Sequence, residues 1–166
     1  CQFFVNFSGI CRKLMMLNSA IVAYFHYIAF MLAIAALVVE RISLRERLSF
    51  EEAQRIVIAD SVYGLSAIVV LVTGIWRVLY FGKGAAYYMN NPIFWTKIGL
   101  FLFVGALSIY PTITFILWIK ELRESAAPVL SRVKFKVLST LVSVEIVGFL
   151  LIPLFASLMA RGFGSR

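Results

Sequence analysis

Glu145 stands inside an otherwise uncharged, largely apolar run from Val137 to Leu150. A carboxylate at the depth of a bilayer-spanning helix costs several kcal/mol unless it takes up a proton or finds a partner. The chemistry open to it is proton handling, or an interhelical hydrogen bond from the protonated acid. The chain's one histidine, His26, lies in a separate apolar run with Phe30 at i+4. A neutral imidazole at that depth packs and hydrogen-bonds within a bundle, or ligates a metal, most commonly the iron of a haem b. Arg77 and Lys97 fall near the ends of apolar runs. There they snorkel as anchors, or bind an acidic group such as a porphyrin propionate or a lipid phosphate. Asp60 falls about one turn inside another run, where a helix-end ion pair with a loop arginine is the plain expectation.

The elements that must position these groups follow from composition. The 166 residues are 62% hydrophobic and 14% charged, with a mean hydropathy of +0.94. Soluble domains carry about 45–50% apolar and about 25% charged residues, so the solvent here is lipid. The net charge of +8 does not point to nucleic acid, because the basic residues gather at the ends of apolar runs, as lipid-headgroup contacts do. Two cysteines, Cys1 and Cys11, with no CxxC pair and no His/Cys cluster, give no metal spacing and at most one bridge. Residues 1–14 read as an N-terminal extension with a poor match to a signal peptide: no basic region precedes their apolar run and no small-residue cleavage site follows it.

The remainder, residues 15–166, reads as one all-α, integral membrane four-helix bundle. Four runs are long enough to cross a ~30 Å hydrocarbon core: about residues 19–39, 56–80, 92–118 and 137–160. The first ends at Glu40-Arg41. Ser49-Phe50-Glu51-Glu52 is a capping box that starts the second helix ahead of its apolar part. Asn91-Pro92 supplies an N-cap and a proline at the first helical position of the third, and Pro111 is expected to kink it. Between the second and third runs, Phe81–Asn91 reads as an interfacial loop, and Lys120–Lys136 as a polar linker. Tyr80, Tyr87, Tyr88, Trp95 and Trp118 read as lipid-facing or interfacial aromatics. Asp60, Gly64, Ala67, Leu71 and Gly74 share one helix face, a small-residue stripe that lets a neighbouring backbone approach.

Nine basic residues lie in the first and third loops or flank them: Arg41, Arg45, Arg47, Arg55, Lys120, Arg123, Arg132, Lys134 and Lys136. Arg12, Lys13, Lys83, Lys97, Arg161 and Arg166 lie on the other side, with Arg77 just inside it. The positive-inside rule then puts both termini on the non-cytoplasmic side.

Three segments carry a family resemblance: Ala23-Tyr24-Phe25-His26-Tyr27, Asn91-Pro92-Ile93-Phe94-Trp95-Thr96-Lys97, and Leu150–Leu154 with Met159–Gly164. They resemble an uncharacterised bacterial four-span family, domain of unknown function 2214, over nearly everything from Met15 onward. More distantly, the layout is similar to the HemJ-type membrane protoporphyrinogen oxidases. That similarity implies a haem-associated histidine at His26, a functional lysine at Lys97 and a glutamate at Glu145. It departs from their pattern at Trp95, where they carry a second histidine, and at Val144-Glu145-Ile146-Val147, where they carry Asn-Glu-x-Pro.

Two functional classes follow. One is a haem-b or porphyrin-binding redox protein of the bacterial inner membrane, with His26 as iron ligand, Arg77 and Lys97 on propionates, and Glu145 handling protons. The other is a non-catalytic accessory subunit of a larger respiratory or photosynthetic membrane complex, or a homo-oligomer, docked through the small-residue stripe. A single histidine rules out bis-histidine ligation within one chain.

Overall fold

The computed structural model describes residues 2–81 and 84–164, with backbone alone over 2–11. The Cys1–Cys11 bridge, Lys83 and Arg166 lie outside the described residues. Helix α1 spans Gln2–Ser43, α2 spans Phe50–Trp76 and continues through a π-helical turn at Arg77–Phe81, α3 is the short Ala85–Met89, α4 spans Pro92–Arg123 and α5 spans Arg132–Ala160. Four of these are long and apolar enough to cross a membrane. The described residues contain no strand, only an isolated bridge between Arg47 and Val129.

Local chemistry starts the helices where the sequence requires. The Ser49 hydroxyl accepts from the Glu52 backbone at 3.2 Å while Glu52 accepts from the Ser49 backbone at 2.9 Å, completing the capping box. Asn91 Oδ1 accepts from the Ile93 backbone at 2.9 Å, ahead of Pro92 at the first helical position. Helix α4 runs on through Pro111 without interruption.

Helix α1 runs unbroken from Gln2 through the first span. Two expectations change. The loop between α2 and α4 folds the helix α3, bounded by Gly84 at φ 92° and Asn90. The supposed linker Lys120–Lys136 is helical at both ends, and only residues 124–131 connect α4 to α5.

The helices pack as two antiparallel hairpins, α1 on α2 and α4 on α5, joined along α2–α4 and α1–α5. The Arg47–Val129 bridge brings the first and third loops together at one end of the bundle. At the other end, Asn91 Nδ2 donates to the Phe163 carbonyl at 3.1 Å and the Tyr87 hydroxyl to the Met159 carbonyl at 3.2 Å. The C-terminal turn is thereby clamped to the start of α4.

Two apolar layers fill the interior. The one near the first and third loops contains Leu44, Ile56, Phe115, Trp118, Leu130 and Leu138. The deeper one contains Ala33, Leu37, Tyr63, Val104, Val142 and Phe149. Trp118, expected at the lipid interface, is only 5% exposed and packs its ring 4.9 Å from that of Phe115. Tyr80 and Trp95 do face outward.

Candidate functional site

The inward stripes of three helices carry an acid at the same level. On α1 the buried positions run Ala29, Ala33, Ala36, Leu37, Glu40, Leu44; on α2, Ile56, Asp60, Tyr63; on α5, Leu138, Val142, Glu145, Phe149. These are spacings of three and four, the period of one helix face. Glu40 and Asp60 therefore project between the two apolar layers and Glu145 into the deeper one, between Val142 and Phe149, at 2%, 7% and 1% exposure. They lie near enough for each charge to be felt by another: Glu40 by Asp60 and Glu145, and Glu145 by Asp60.

Their partners are sparse. Thr112 on α4 donates its hydroxyl to Asp60 Oδ1 at 2.7 Å, so all four long helices reach this level. Glu40 Oε1, Glu145 Oε1 and the nearby Ser43 Oγ are buried without a hydrogen-bond partner. Arg41, next to Glu40 in sequence, turns its Nε to Ser143 Oγ at 2.8 Å. Neither ion pair found among the described residues, Arg45–Glu52 and Arg132–Glu46, involves a carboxyl of this level. Asp60 is thus not the ion-paired helix end expected of it; its helix begins ten residues earlier, at Phe50, and carries it into the interior. Three acids in one low-dielectric compartment are not all ionised without a cation among them. No group of three His, Cys, Asp or Glu among the described residues is arranged to hold a metal ion.

His26 occupies a second station, about 20 Å along α1 from Glu40. Its Nδ1 lies 2.9 Å from Thr73 Oγ1. The single hydroxyl hydrogen of Thr73 is directed at the Val69 and Val70 carbonyls. With that hydrogen on a carbonyl, Thr73 accepts from Nδ1–H, and in this tautomer Nε2 keeps its lone pair. Gly74 lets the ring lie this close, since a Cβ there would meet His26 Cε1 at 3.4 Å. Arg77 and Lys97 both act electrostatically on this imidazole. Arg77 Nη2 reaches the Tyr27 hydroxyl at 3.3 Å with its guanidinium 5.1 Å from that ring, and Lys97 Nζ lies 5.3 Å from the centre of Phe94.

Between the stations sits an aromatic layer. Phe149, 1% exposed, packs its ring 5.3 Å from Phe30, 5.7 Å from Tyr63 and 6.2 Å from Phe101. Of the residues singled out from sequence, His26, Arg77 and Lys97 come together at one end, while Glu145 joins Glu40 and Asp60 at the other. Glu40 was passed over because Glu40-Arg41 reads as the end of a span. Its phase gave the missing signal, since it continues the stripe of Ala33, Ala36 and Leu37. The small-residue stripe divides: Asp60 bonds α4, Gly74 seats His26, and Gly64, Ala67 and Leu71 line a cleft against α4.

The fold and its interior define a four-span membrane bundle with buried acids. Residues 18–164 match the family of predicted membrane proteins designated DUF2214, and the chain belongs to that family. No curated protein and no solved structure matches it.

Proposed function

We propose that this protein binds and exchanges protons within the membrane, on the level formed by Glu40, Asp60 and Glu145. The observation that carries this reading is the pair of carboxyl oxygens, Glu40 Oε1 and Glu145 Oε1, buried without a partner beside a third acid. A purely structural acid is satisfied by its neighbours, whereas a group that must gain and lose a proton keeps an oxygen free. Exchange with water is shortest toward the first and third loops, because Glu40 lies about 5 Å of helix from the end of α1. Arg41 stands at that mouth, and the layer of Tyr63 and Phe149 closes the way toward His26. The clustering of basic residues about those loops supports a topology with these loops in the cytoplasm and both termini outside. Infrared difference spectroscopy of the protein in lipid, scanned over pH, tests the reading. A protonated-carboxyl band should appear and vanish reversibly, and Glu145→Gln or Glu40→Gln should remove part of it. A spectrum with no titrating carboxyl band, or one that both variants leave intact, overturns the proposal.

A second reading is favoured by the contact of His26 Nδ1 with Thr73 Oγ1. An imidazole whose Nδ1–H is held by a fixed acceptor presents Nε2 as a ligand. A haem b on His26, with Arg77 and Lys97 toward its propionates, would supply one-electron redox chemistry. His26 would bind the iron, Thr73 would orient the ring, and the acids beyond the aromatic layer would buffer protons. Absorption spectra of the dithionite-reduced protein, expressed with ample haem, decide it. A Soret band lost in His26→Ala supports this reading, and its absence from the wild type ends it.

A further inference from the structure

The acids of this chain all lie toward one end of the bundle. No Asp or Glu precedes Glu40, falls between Asp60 and Glu121, or follows Glu145. From the acid level to α3, the bundle therefore offers a cation no carboxylate side chain. Two cations nonetheless stand there on inward faces. On α2 the buried positions Tyr63, Ser66, Val70 and Thr73 are followed, four residues on, by Arg77. On α4, Lys97 comes three residues after the buried Phe94 and four before Phe101, which packs on the deeper apolar layer. These are again the spacings of one helix face. Snorkelling anchors on the lipid face would be out of phase with both stripes.

Arg77 and Lys97 are each half-buried. Lys97 lies within the field of Arg77, and both charges are felt at His26. Tyr27 accepts from one N–H of Arg77, and the rings of Tyr27 and Phe94 lie against the two cations. Among the described residues Arg77 makes no other hydrogen bond, Lys97 makes none, and neither forms an ion pair. Aromatic faces hold a cation in place without cancelling its charge. Two like charges partly withdrawn from water are relieved by an anion that both can reach.

We infer that the α3 end of the bundle is an oxyanion site, in which the Arg77 guanidinium and the Lys97 ammonium hold one phosphate group beside His26. A guanidinium can pair with two phosphate oxygens at once, and Lys97 adds a point charge from α4. Exposed Trp76, Tyr80 and Trp95 mark the membrane interface at this depth. The phosphate there belongs to an anionic lipid headgroup or to a dissolved phosphate ester. A zwitterionic headgroup suits the site less, because its own cation joins the two already present. The site lies about 20 Å of helix from the acid level and does not rest on the proton reading. A haem on His26 would bring carboxylates to the same two cations, so haem and phosphate exclude each other.

His26 is the only histidine of the chain, so labelling with ¹⁵N-histidine makes its ring a single reporter beside the site. The full chain in phosphatidylcholine nanodiscs is titrated with phosphatidylglycerol in one arm and with glycerol 3-phosphate in the other. A saturable shift of the ring signals with phosphatidylglycerol alone assigns the site to a lipid headgroup. A saturable shift with glycerol 3-phosphate assigns it to the dissolved ester. Arg77→Gln and Lys97→Gln should each weaken binding by about tenfold, the loss of one charge-assisted hydrogen bond. Arg161→Gln, which removes an exposed cation of the same end, should leave binding unchanged. No saturable shift in either arm overturns the inference. So does a shift that both Gln variants at Arg77 and Lys97 retain. A shift that Arg161→Gln weakens equally also overturns it, because it then reports the surface potential of the whole end. If neither Arg77→Gln nor Lys97→Gln folds, the wild-type titration set against Arg161→Gln decides alone.

Discussion

Replacing Glu145 by methionine should make the bundle more stable while abolishing what it does. The side chain is 1% exposed, and its Oε1 has no hydrogen-bond partner. A buried polar atom left unsatisfied costs about 1–3 kcal/mol. Methionine has nearly the same length and shape, and the layer of Val142 and Phe149 on the same stripe offers it apolar neighbours. Exchanging buried ionisable groups for packed apolar ones has stabilised other proteins by about 1–4 kcal/mol. Glu145→Met is therefore expected to raise the unfolding free energy by about 1–3 kcal/mol. Glu145→Gln, which keeps a buried polar group but cannot titrate, should stay within about 0.5 kcal/mol of wild type. The assay is reversible unfolding in mixed micelles with increasing SDS, followed by far-ultraviolet circular dichroism, with the infrared pH scan on the same samples. The opposite sign refutes the reasoning. If the carboxyl binds two helices by a hydrogen bond, methionine should cost about 0.6–2 kcal/mol instead, and Glu145 would be structural.

Four further outcomes can be measured. Gly148→Ala drives a methyl into the buried Val104 side chain, so it should lose about 1–3 kcal/mol, and Val104→Ala in the same chain should restore most of it. Asn91→Ala removes both the cap of α4 and the bond to the Phe163 carbonyl and should cost about 1–2 kcal/mol in the same titration; Asn91→Asp should recover the capping part alone. Thr73→Val frees the His26 ring and should lose about 0.6–1.7 kcal/mol, with histidine NMR reporting mixed tautomers where the wild type shows Nδ1–H. A reporter fused at the C-terminus should be active only when it is one that works outside the cytoplasm, and one placed between Arg47 and Leu48 only when it works inside; the reverse pattern inverts the bundle.

How much of this was legible beforehand depends on the residue. The four spans, the capping box at Ser49 and the Asn91-Pro92 start rest on local rules, hydropathy and backbone donors, which the sequence states directly. Interior placement of Glu145 follows from cost, since hydrocarbon admits no exposed acid. The grouping of Glu40 and Asp60 with Glu145 did not emerge, because both sit near span boundaries where water is the simpler partner. Only the stagger of α1 against α2, set by the His26–Thr73 contact and the short first loop, brings them level. Trp118 misled for a related reason: interfacial aromatics and end-of-bundle core aromatics occupy the same sequence position. The cleft could not be read from the stripe Gly64-Ala67-Leu71, since small residues signal close approach and open space alike.

The acid level also constrains how the chain enters the membrane. Glu40, Asp60 and Glu145 are carried by three different spans, and each acid at membrane depth disfavours insertion of its helix alone by up to about 3 kcal/mol. Shelter comes only from neighbours: α2 is synthesised right after α1, and α4, with the Thr112 that Asp60 requires, comes about fifty residues after that acid. The α1–α2 hairpin thus gains the Thr112 partner of Asp60 only when α4 arrives, and α5 completes the compartment last, so the apolar residues of each span have to offset its acid until the bundle closes.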